Sequence, residues 1–98
     1  MLQRIMEKVT QYMAAFDEAR DGAYPKARKG RTLSKKSILV LHRGEPQEAR
    51  RLLSEAAHLL TEAQEAAEAF PGVQNSETLS AARQEHAEAA ILLSLITE

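Results

Sequence analysis

Apolar residues at the start of the chain recur at steps of three and four, with polar residues between them. The residues that follow this spacing are Leu2, Ile5, Met6, Val9, Met13 and Phe16. The spacing matches the 3.6-residue turn of an α-helix, so it predicts an amphipathic helix that begins near the N-terminus and buries one stripe.

Three helix-breaking residues follow this first pattern. Gly22, Pro25 and Gly30 weaken a helix through lost backbone entropy or a missing hydrogen-bond donor, and together they predict a kink or short break between residues 21 and 30. Helical spacing resumes in residues 31–44, where the apolar side is supplied by Leu33, Ile38, Val40 and Leu41.

A tight turn is predicted at residues 44–46. Gly44 suits a helix C-terminal cap, and Pro46 suits the first turn of the next helix, where no backbone donor is needed. The next helix is predicted from Glu45 to about Phe70, so the two helices form an antiparallel hairpin. Its apolar stripe consists of Ala49, Leu52, Leu53, Ala56, Leu59, Leu60, Ala63 and Ala67.

A second loop is predicted at residues 71–76, which contain Pro, Gly, Asn and Ser, and Asn75 or Ser76 is a candidate N-cap for a last helix that runs to the C-terminus. Residues 89–98, AAILLSLITE, are apolar on nearly every side. Such a segment is normally buried all round, so we expect an oligomer interface or further sequence downstream.

Composition agrees with these helices and limits the class of protein. The chain has 98 residues, no Trp and 4% aromatic residues, which predicts a single all-α domain over residues 1–98, an antiparallel bundle or hairpin of three to four helices. It has no Cys, which excludes disulfides and thiolate metal sites. Charges in the first helix exclude a signal peptide or membrane span there, so we expect a soluble, cytoplasmic protein.

Charge is segregated along the chain. Residues 1–44 carry a net charge of +6 and residues 45–98 a net charge of −7, which together give the overall −1. Segregation of this kind favours a polyanion-binding face, although two oppositely charged helices that attract each other would show the same pattern.

The positive charge is concentrated in one run with no Asp or Glu from Gly22 to Gly44. Its members are Lys26, Arg28, Lys29, Arg31, Lys35, Lys36 and Arg43. In a helix, Arg28, Arg31 and Lys35 share one side, and Lys29, Lys36 and Arg43 form a second line that could follow phosphates. A solvated charged face is the alternative, and Tyr24 is the only aromatic residue nearby for base stacking.

A carboxylate pair lies in the last predicted helix. Glu85 and Glu88 are three residues apart and share a helix side with Ala89 and Leu92, which predicts partial desolvation. Two such carboxylates can hold Mg²⁺ or Mn²⁺, and a bound ion can activate water for phosphodiester cleavage. The alternative is a salt bridge to Arg50, Arg51 or the basic helix of another subunit.

Other candidates for chemistry have less support. His42, His58 and His86 show no metal-ligand spacing with one another, so we interpret them as structural. Ser34 and Ser37 have no base near them in sequence, so nothing favours a nucleophilic hydrolase.

Residues 28–60, RKGRTLSKKSILVLHRGEPQEARRLLSEAAHLL, resemble the N-terminal half of translin and translin-associated factor X proteins. The shared elements are an Arg-rich helix, a Ser and an Ile, a Leu-His-Arg-Gly turn, acidic residues and an EA-rich helix with paired leucines. They correspond here to Arg28, Ser34, Ser37, Ile38, Leu41, His42, Arg43, Gly44, Glu45, Glu48, Ala49, Leu52 and Leu53. The resemblance implies an all-α protein that binds single-stranded RNA or DNA.

Gln84, Glu85, Glu88 and Ala89 resemble the QE-x-x-EA motif of the factor X branch. In that branch the resemblance implies that Glu85 and Glu88 are metal-binding catalytic residues of an endoribonuclease. The family continues with further helices that bear an additional catalytic aspartate and a GEL-R motif, and this sequence corresponds to about half of a family member. By this resemblance the sequence is a fragment, a shortened member, or a chain that a partner chain completes. Its small size separately favours a homo-oligomer. The competing hypothesis is a helical adaptor that acts through protein–protein contacts.

Overall fold

The computed structural model describes residues 1–97, which fold into helices joined by short turns. In chain order the helices are α1 (Leu2–His42), α2 (Pro46–Ala66), α3 (Pro71–Gln74) and α4 (Glu77–Thr97). α2 runs antiparallel to α1, and α4 packs against both. The described chain measures 64 × 16 × 15 Å. The predicted all-α class is confirmed for these residues.

The predicted break between residues 21 and 30 is wrong, because α1 continues through Gly22, Pro25 and Gly30. Pro25 lies on the exposed side of α1, where water can reach the Asp21 carbonyl that has lost its donor. Gly22 and Gly30 face α2, and their lack of a side chain lets the two helices approach closely. A Cβ at Gly30 would lie only 3.2 Å from the Leu60 side chain.

The interior consists of small and aliphatic side chains in two clusters. One joins the middle of α1 to the ends of α2 and α4, with Ala23, Ala27, Leu60 and Leu79 among its members. The other lies near the 44–46 turn and joins Val40, Leu41, Ala49 and Leu52, with Leu92 and Leu93 of α4 packed against it. Small residues on the inner face of α1 bring α2 and α4 close to its axis.

The turn between α1 and α2 forms as the sequence predicts. Gly44 has a φ of 80°, a left-handed conformation that glycine adopts readily. Its backbone N–H donates to the Leu41 carbonyl, and the Glu45 N–H donates to the Val40 carbonyl, which caps the end of α1. Pro46 then begins α2.

The second connection differs from the prediction in two details. α2 ends at Ala66, four residues before the predicted Phe70, and residues 71–74 of the predicted loop form the short helix α3. Of the two N-cap candidates it is Ser76 that acts, because its Oγ accepts a hydrogen bond from the Leu79 backbone N–H at 3.4 Å. The helix that follows is confirmed to Thr97; Glu98 lies outside the described residues.

The first turns of α1 project beyond the α2–α4 connection. Their apolar residues are exposed in the single chain, so the prediction of a buried stripe there is wrong for one copy. We call these residues the overhang stripe: Leu2, Ile5, Met6, Val9, Tyr12 and Met13. Near the other end, Ile91, Leu95 and Ile96 of α4 are also exposed, and we call them the C-terminal patch.

Within the described residues, none of the helices combines the length and the apolar character needed to cross a membrane.

Candidate nucleic-acid interface

The basic run forms two exposed rows along α1. Lys29, Lys36 and Arg43 make up the outer row, at steps of seven residues, which place successive Cα atoms about 10 Å apart along the helix. Arg28, Arg31 and Lys35 make up the groove row, on the side of α1 that faces α4. All six residues are exposed. The continuous helix gives the predicted lines for the five cations within α1, Arg43 follows as its C-cap, and we call the two rows together the basic face.

The inner face of α1 explains why these cations point outward. It consists of small residues, including Ala27, Gly30, Ser34 and Ser37, on which α2 and α4 pack. The buried Ser34 hydroxyl donates to the Gly30 carbonyl at 2.8 Å, and the Ser37 hydroxyl donates to the Ser34 carbonyl at 2.6 Å. Both hydroxyls are thus used within the helix, and the long charged side chains occupy the parts of its surface that α2 and α4 leave exposed.

The groove row lies beside acidic residues of α4. Arg28 and Arg31 line a cavity of about 430 Å³ together with Glu77, Thr78 and Ala81. Lys35 Nζ lies 3.9 Å from Glu85 Oε1. The charge of the groove row is therefore partly compensated within the chain, and the outer row has the more open surface for a polyanion.

Lys26 has a partner on α2. Its ammonium group donates a 2.7 Å hydrogen bond to Glu62 Oε2, and both side chains are partly exposed. This hydrogen bond, together with the positive charge of Lys26, lowers the pKa of the Glu62 carboxyl below its usual value. The sequence predicts Lys26 as a phosphate ligand. In the structure, Lys26 forms an ion pair that links α1 to α2.

Two features of the basic face are not evident from its charges. Arg28 places its guanidinium 5.5 Å from the centroid of the Tyr24 ring, a cation–π contact at the edge of the first core cluster. Thr32 and Leu39 are exposed and lie between the two rows. Thr32 and Leu39 lie three or four residues from the cations of both rows, and this helical spacing is the feature of the sequence that predicts their position between the rows.

Glu85 and Glu88 differ in their surroundings. The Glu85 side chain is only 19% exposed and faces Lys35, whereas Glu88 is exposed and accepts a 3.2 Å hydrogen bond from Gln84 Nε2. Partial desolvation is thus confirmed for Glu85 alone. The predicted alternative of a salt bridge is realised with Lys35, a residue that the sequence did not single out for it.

Arg50 and Arg51, the predicted alternative partners, form no salt bridge with Glu85 or Glu88 in the part of the chain that the structure describes. Arg51 binds Glu48 at 2.6 Å and Glu55 at 3.5 Å on α2. The Glu48 contact lowers the pKa of that carboxyl, chiefly through the hydrogen bond from Arg51. His86 Nε2 lies 3.3 Å from the Leu53 carbonyl, which fits the structural role predicted for it.

The carboxylate oxygens of Glu85 and Glu88 suit a hard cation, but these two residues supply few ligands. Residues 1–97 contain no group of three or more His, Cys, Asp or Glu side chains placed to hold a metal ion. Mg²⁺ often uses only one or two carboxylates and completes its octahedron with waters and substrate phosphates. Two carboxylates of the described chain would therefore supply a minority of the ligands.

Comparison with known protein families, curated proteins and solved structures gives no match to this chain.

Proposed function

We propose that this protein binds single-stranded RNA or DNA along the basic face of α1, with the outer row Lys29, Lys36 and Arg43 as the main phosphate contacts. The observation that carries the proposal is the basic face itself. Five exposed cations occupy residues 28–36 of α1, the sixth, Arg43, is the C-cap of that helix, and α1 has no Asp or Glu from Gly22 onward.

The chemistry of this face favours backbone contacts over base recognition. Lys and Arg side chains on a helix neutralise phosphates, and such contacts give affinity that falls steeply with salt and depends little on sequence. The exposed Leu39 between the rows, and Tyr24 beside Arg28, add limited apolar surface for unstacked bases. The resemblance of residues 28–60 to translin-family proteins supports the same class of ligand.

Charge removal on the outer row tests the proposal. We expect Lys29→Gln/Lys36→Gln/Arg43→Gln to weaken binding of a labelled single-stranded oligonucleotide by about tenfold or more in fluorescence anisotropy at low salt. The matched control is Arg50→Gln/Arg51→Gln/Arg83→Gln, which removes the same charge away from both the basic face and the overhang stripe. Equal losses in the two variants would show that only net charge matters and would contradict a binding face on α1.

A second proposed function is metal-dependent cleavage of the bound strand, with Mg²⁺ or Mn²⁺ held by Glu85 and Glu88. Its support is the position of Glu85, which borders the groove row with its Oε1 3.9 Å from Lys35 Nζ; a bound ion would replace Lys35 as the partner of this carboxylate. A phosphate bound by Lys35 would thus lie beside the carboxylate pair. When bound, such an ion supplies an activated water for phosphodiester hydrolysis.

This second proposal is tested by metal binding and by cleavage. We expect Mn²⁺ titration, followed by electron paramagnetic resonance, to show a site that is lost in Glu85→Gln/Glu88→Gln. It should be kept in Glu65→Gln/Glu68→Gln, an exposed pair with the same spacing on another part of the surface. Cleavage of single-stranded RNA should stop with EDTA and in the first variant. Unchanged cleavage or Mn²⁺ binding in Glu85→Gln/Glu88→Gln would exclude a role for these residues.

A further inference from the structure

The overhang stripe is a large apolar surface that the single chain leaves in water. Its side chains are between 48% exposed, at Val9, and 73% exposed, at Leu2. They continue the same side of α1 that further along packs on α2 and α4, beginning with the half-buried Phe16 and the buried Ala19. Soluble monomers rarely expose a contiguous apolar patch larger than a few hundred Å².

The order of apolar positions along this segment is the same in both directions. Positions 2, 5, 6, 9, 12, 13 and 16 map onto one another when the segment is reversed about residue 9. An identical helix laid antiparallel would therefore place Leu2 opposite Phe16, Ile5 opposite Met13, and Val9 opposite itself. Such self-complementarity is the requirement for a two-fold symmetric contact between copies.

We propose that the overhang stripe is a dimer interface, at which two copies of this chain pack their α1 overhangs antiparallel around a two-fold axis near Val9. The partner is thus a second copy of the same chain. The proposal does not depend on nucleic-acid binding, because the basic face lies on a different part of α1.

The area of the overhang suits a dimer of moderate stability. Covering six large apolar side chains would remove roughly 500–700 Å² from water on each copy, near the ~800 Å² per partner of standard interfaces. The α2–α3 connection limits the overlap, because Phe70 packs against Tyr12 and Phe16 with ring centroids 5.5 and 5.7 Å apart. The α1 overhang of the second copy would therefore end opposite Phe16.

A shallow cavity lies where the partner helix would begin. It measures about 340 Å³ and is lined by Tyr12, Met13, Phe16 and Asp17. In the Val9-centred register, Leu2 of the second copy reaches this position. The apolar walls of the cavity match that side chain.

Charge favours the antiparallel orientation. The first turns of α1 carry Arg4, Glu7 and Lys8, a net charge of +1, whereas the base of the overhang carries Asp17, Glu18 and Asp21 against Arg20, a net charge of −2, with Arg20 bound to Asp17 at 3.3 Å. Antiparallel copies bring the basic end of one overhang beside the acidic base of the other. Parallel copies would place like charges side by side.

The C-terminal patch is the competing acceptor for an overhang. Contact between the overhang of one chain and Ile91, Leu95 and Ile96 of another would be head-to-tail, and such contacts produce growing chains or rings. A two-fold overhang contact stops at two copies. Molar mass therefore separates the two arrangements.

Light scattering coupled to size exclusion gives the first test. We expect a mass of twice the 10.9 kDa chain that does not grow with concentration, and a monomer for Val9→Glu, which places two carboxylates at the axis. Leu95→Glu, an equal change in the C-terminal patch, should remain a dimer. Circular dichroism should show unchanged helix content, because both sites are exposed. A monomeric wild type, or dissociation by Leu95→Glu and not by Val9→Glu, would overturn the proposal.

Cysteine cross-linking tests orientation in a chain that has no Cys of its own. Ile5→Cys and Met13→Cys are prepared separately, mixed, and oxidised. Antiparallel overhangs bring position 5 near position 13 of the other copy, so the mixed disulfide should dominate. Dominance of the two homodisulfides would indicate parallel overhangs and contradict the proposed interface.

Discussion

Gly22 and Gly30 show how single residues set the distance between α1 and α2. A Cβ at Gly22 would lie 3.6 Å from the Ala66 Cβ, an ordinary contact, whereas a Cβ at Gly30 would lie 3.2 Å from two atoms of Leu60 and 3.4 Å from the Ala56 carbonyl oxygen. The same residue type is therefore replaceable at one position and needed for close approach at the other.

Substitutions at these glycines should have opposite effects on stability. Gly22→Ala is expected to stabilise the protein by about 0.5–1 kcal/mol, because it lowers the backbone entropy of the unfolded chain and raises helix propensity. Gly30→Val should destabilise it by about 1–3 kcal/mol through overpacking against Leu60. Urea denaturation of both variants measures the difference. A stabilising Gly30→Val would show that the helices are not in close contact there.

The Lys26–Glu62 pair should make stability depend on pH. Because the pKa of Glu62 is lowered in the folded state, the pair stabilises the protein above the ordinary Glu pKa, and this contribution is lost as the pH falls through the lowered value. Lys26→Met should raise the pKa of Glu62 toward its ordinary value, as measured by NMR titration of the carboxyl carbon. Lys29→Met is the control and should leave that pKa unchanged.

The Lys26–Glu62 pair is also an example of a contact that could not be predicted from the sequence. The seven cations were identified from their run, but Lys26 and its partner Glu62 are 36 positions apart. Lys35 and Glu85 are 50 positions apart, and their contact depends on how α4 packs against α1. Pairing between helices follows from packing register, which local patterns do not encode.

At the scale of elements, helix ends were more predictable than helix continuity. Gly44, Pro46 and Ser76 act through backbone conformation and local hydrogen bonds, so their roles follow from residue type. The continuity of α1 does not follow in this way, because the cost of Pro25 and two glycines is offset by packing of their helix on α2 and α4.

Substitution of Gly44 should destabilise the protein because of the backbone conformation at this position, and not because of a steric clash. No atom lies within 4 Å of a Cβ built at Gly44, yet its φ of 80° is unfavourable for other residues. Gly44→Ala is expected to cost about 1–2 kcal/mol in thermal or urea unfolding. Gly22→Ala serves as the matched control, since it makes the same chemical change at a helical φ. A neutral Gly44→Ala would mean that the turn does not need a left-handed residue.

At the scale of the whole molecule, an apolar surface and a basic surface, each with a different proposed role, lie apart along the elongated chain. The overhang stripe lies at one end of α1, and the basic face occupies the half nearest the hairpin turn. The sequence identified both segments, but it predicted the overhang as buried, because periodicity reports amphipathicity and not which neighbour covers the apolar side.

The proposed dimer has a definite length. One chain spans 64 Å, and antiparallel overhangs of about 15 residues overlap by about 22 Å, so the dimer should extend to about 105 Å. Small-angle scattering measures this maximum dimension. The two basic faces would then lie toward opposite ends of the particle, so that one long strand could engage both and gain avidity. A compact dimer of about 65 Å would contradict overhang pairing.

The most direct test of the central claim is the salt dependence of single-stranded oligonucleotide binding by the unmodified protein. The logarithm of the association constant should fall linearly with the logarithm of salt concentration, with a slope of about −2 for the three outer-row cations and up to about −4 if the groove row also binds phosphates. Absence of measurable binding at low salt, or weak binding that salt does not change, would contradict the account. Either result would favour a helical adaptor whose charges serve protein–protein contacts.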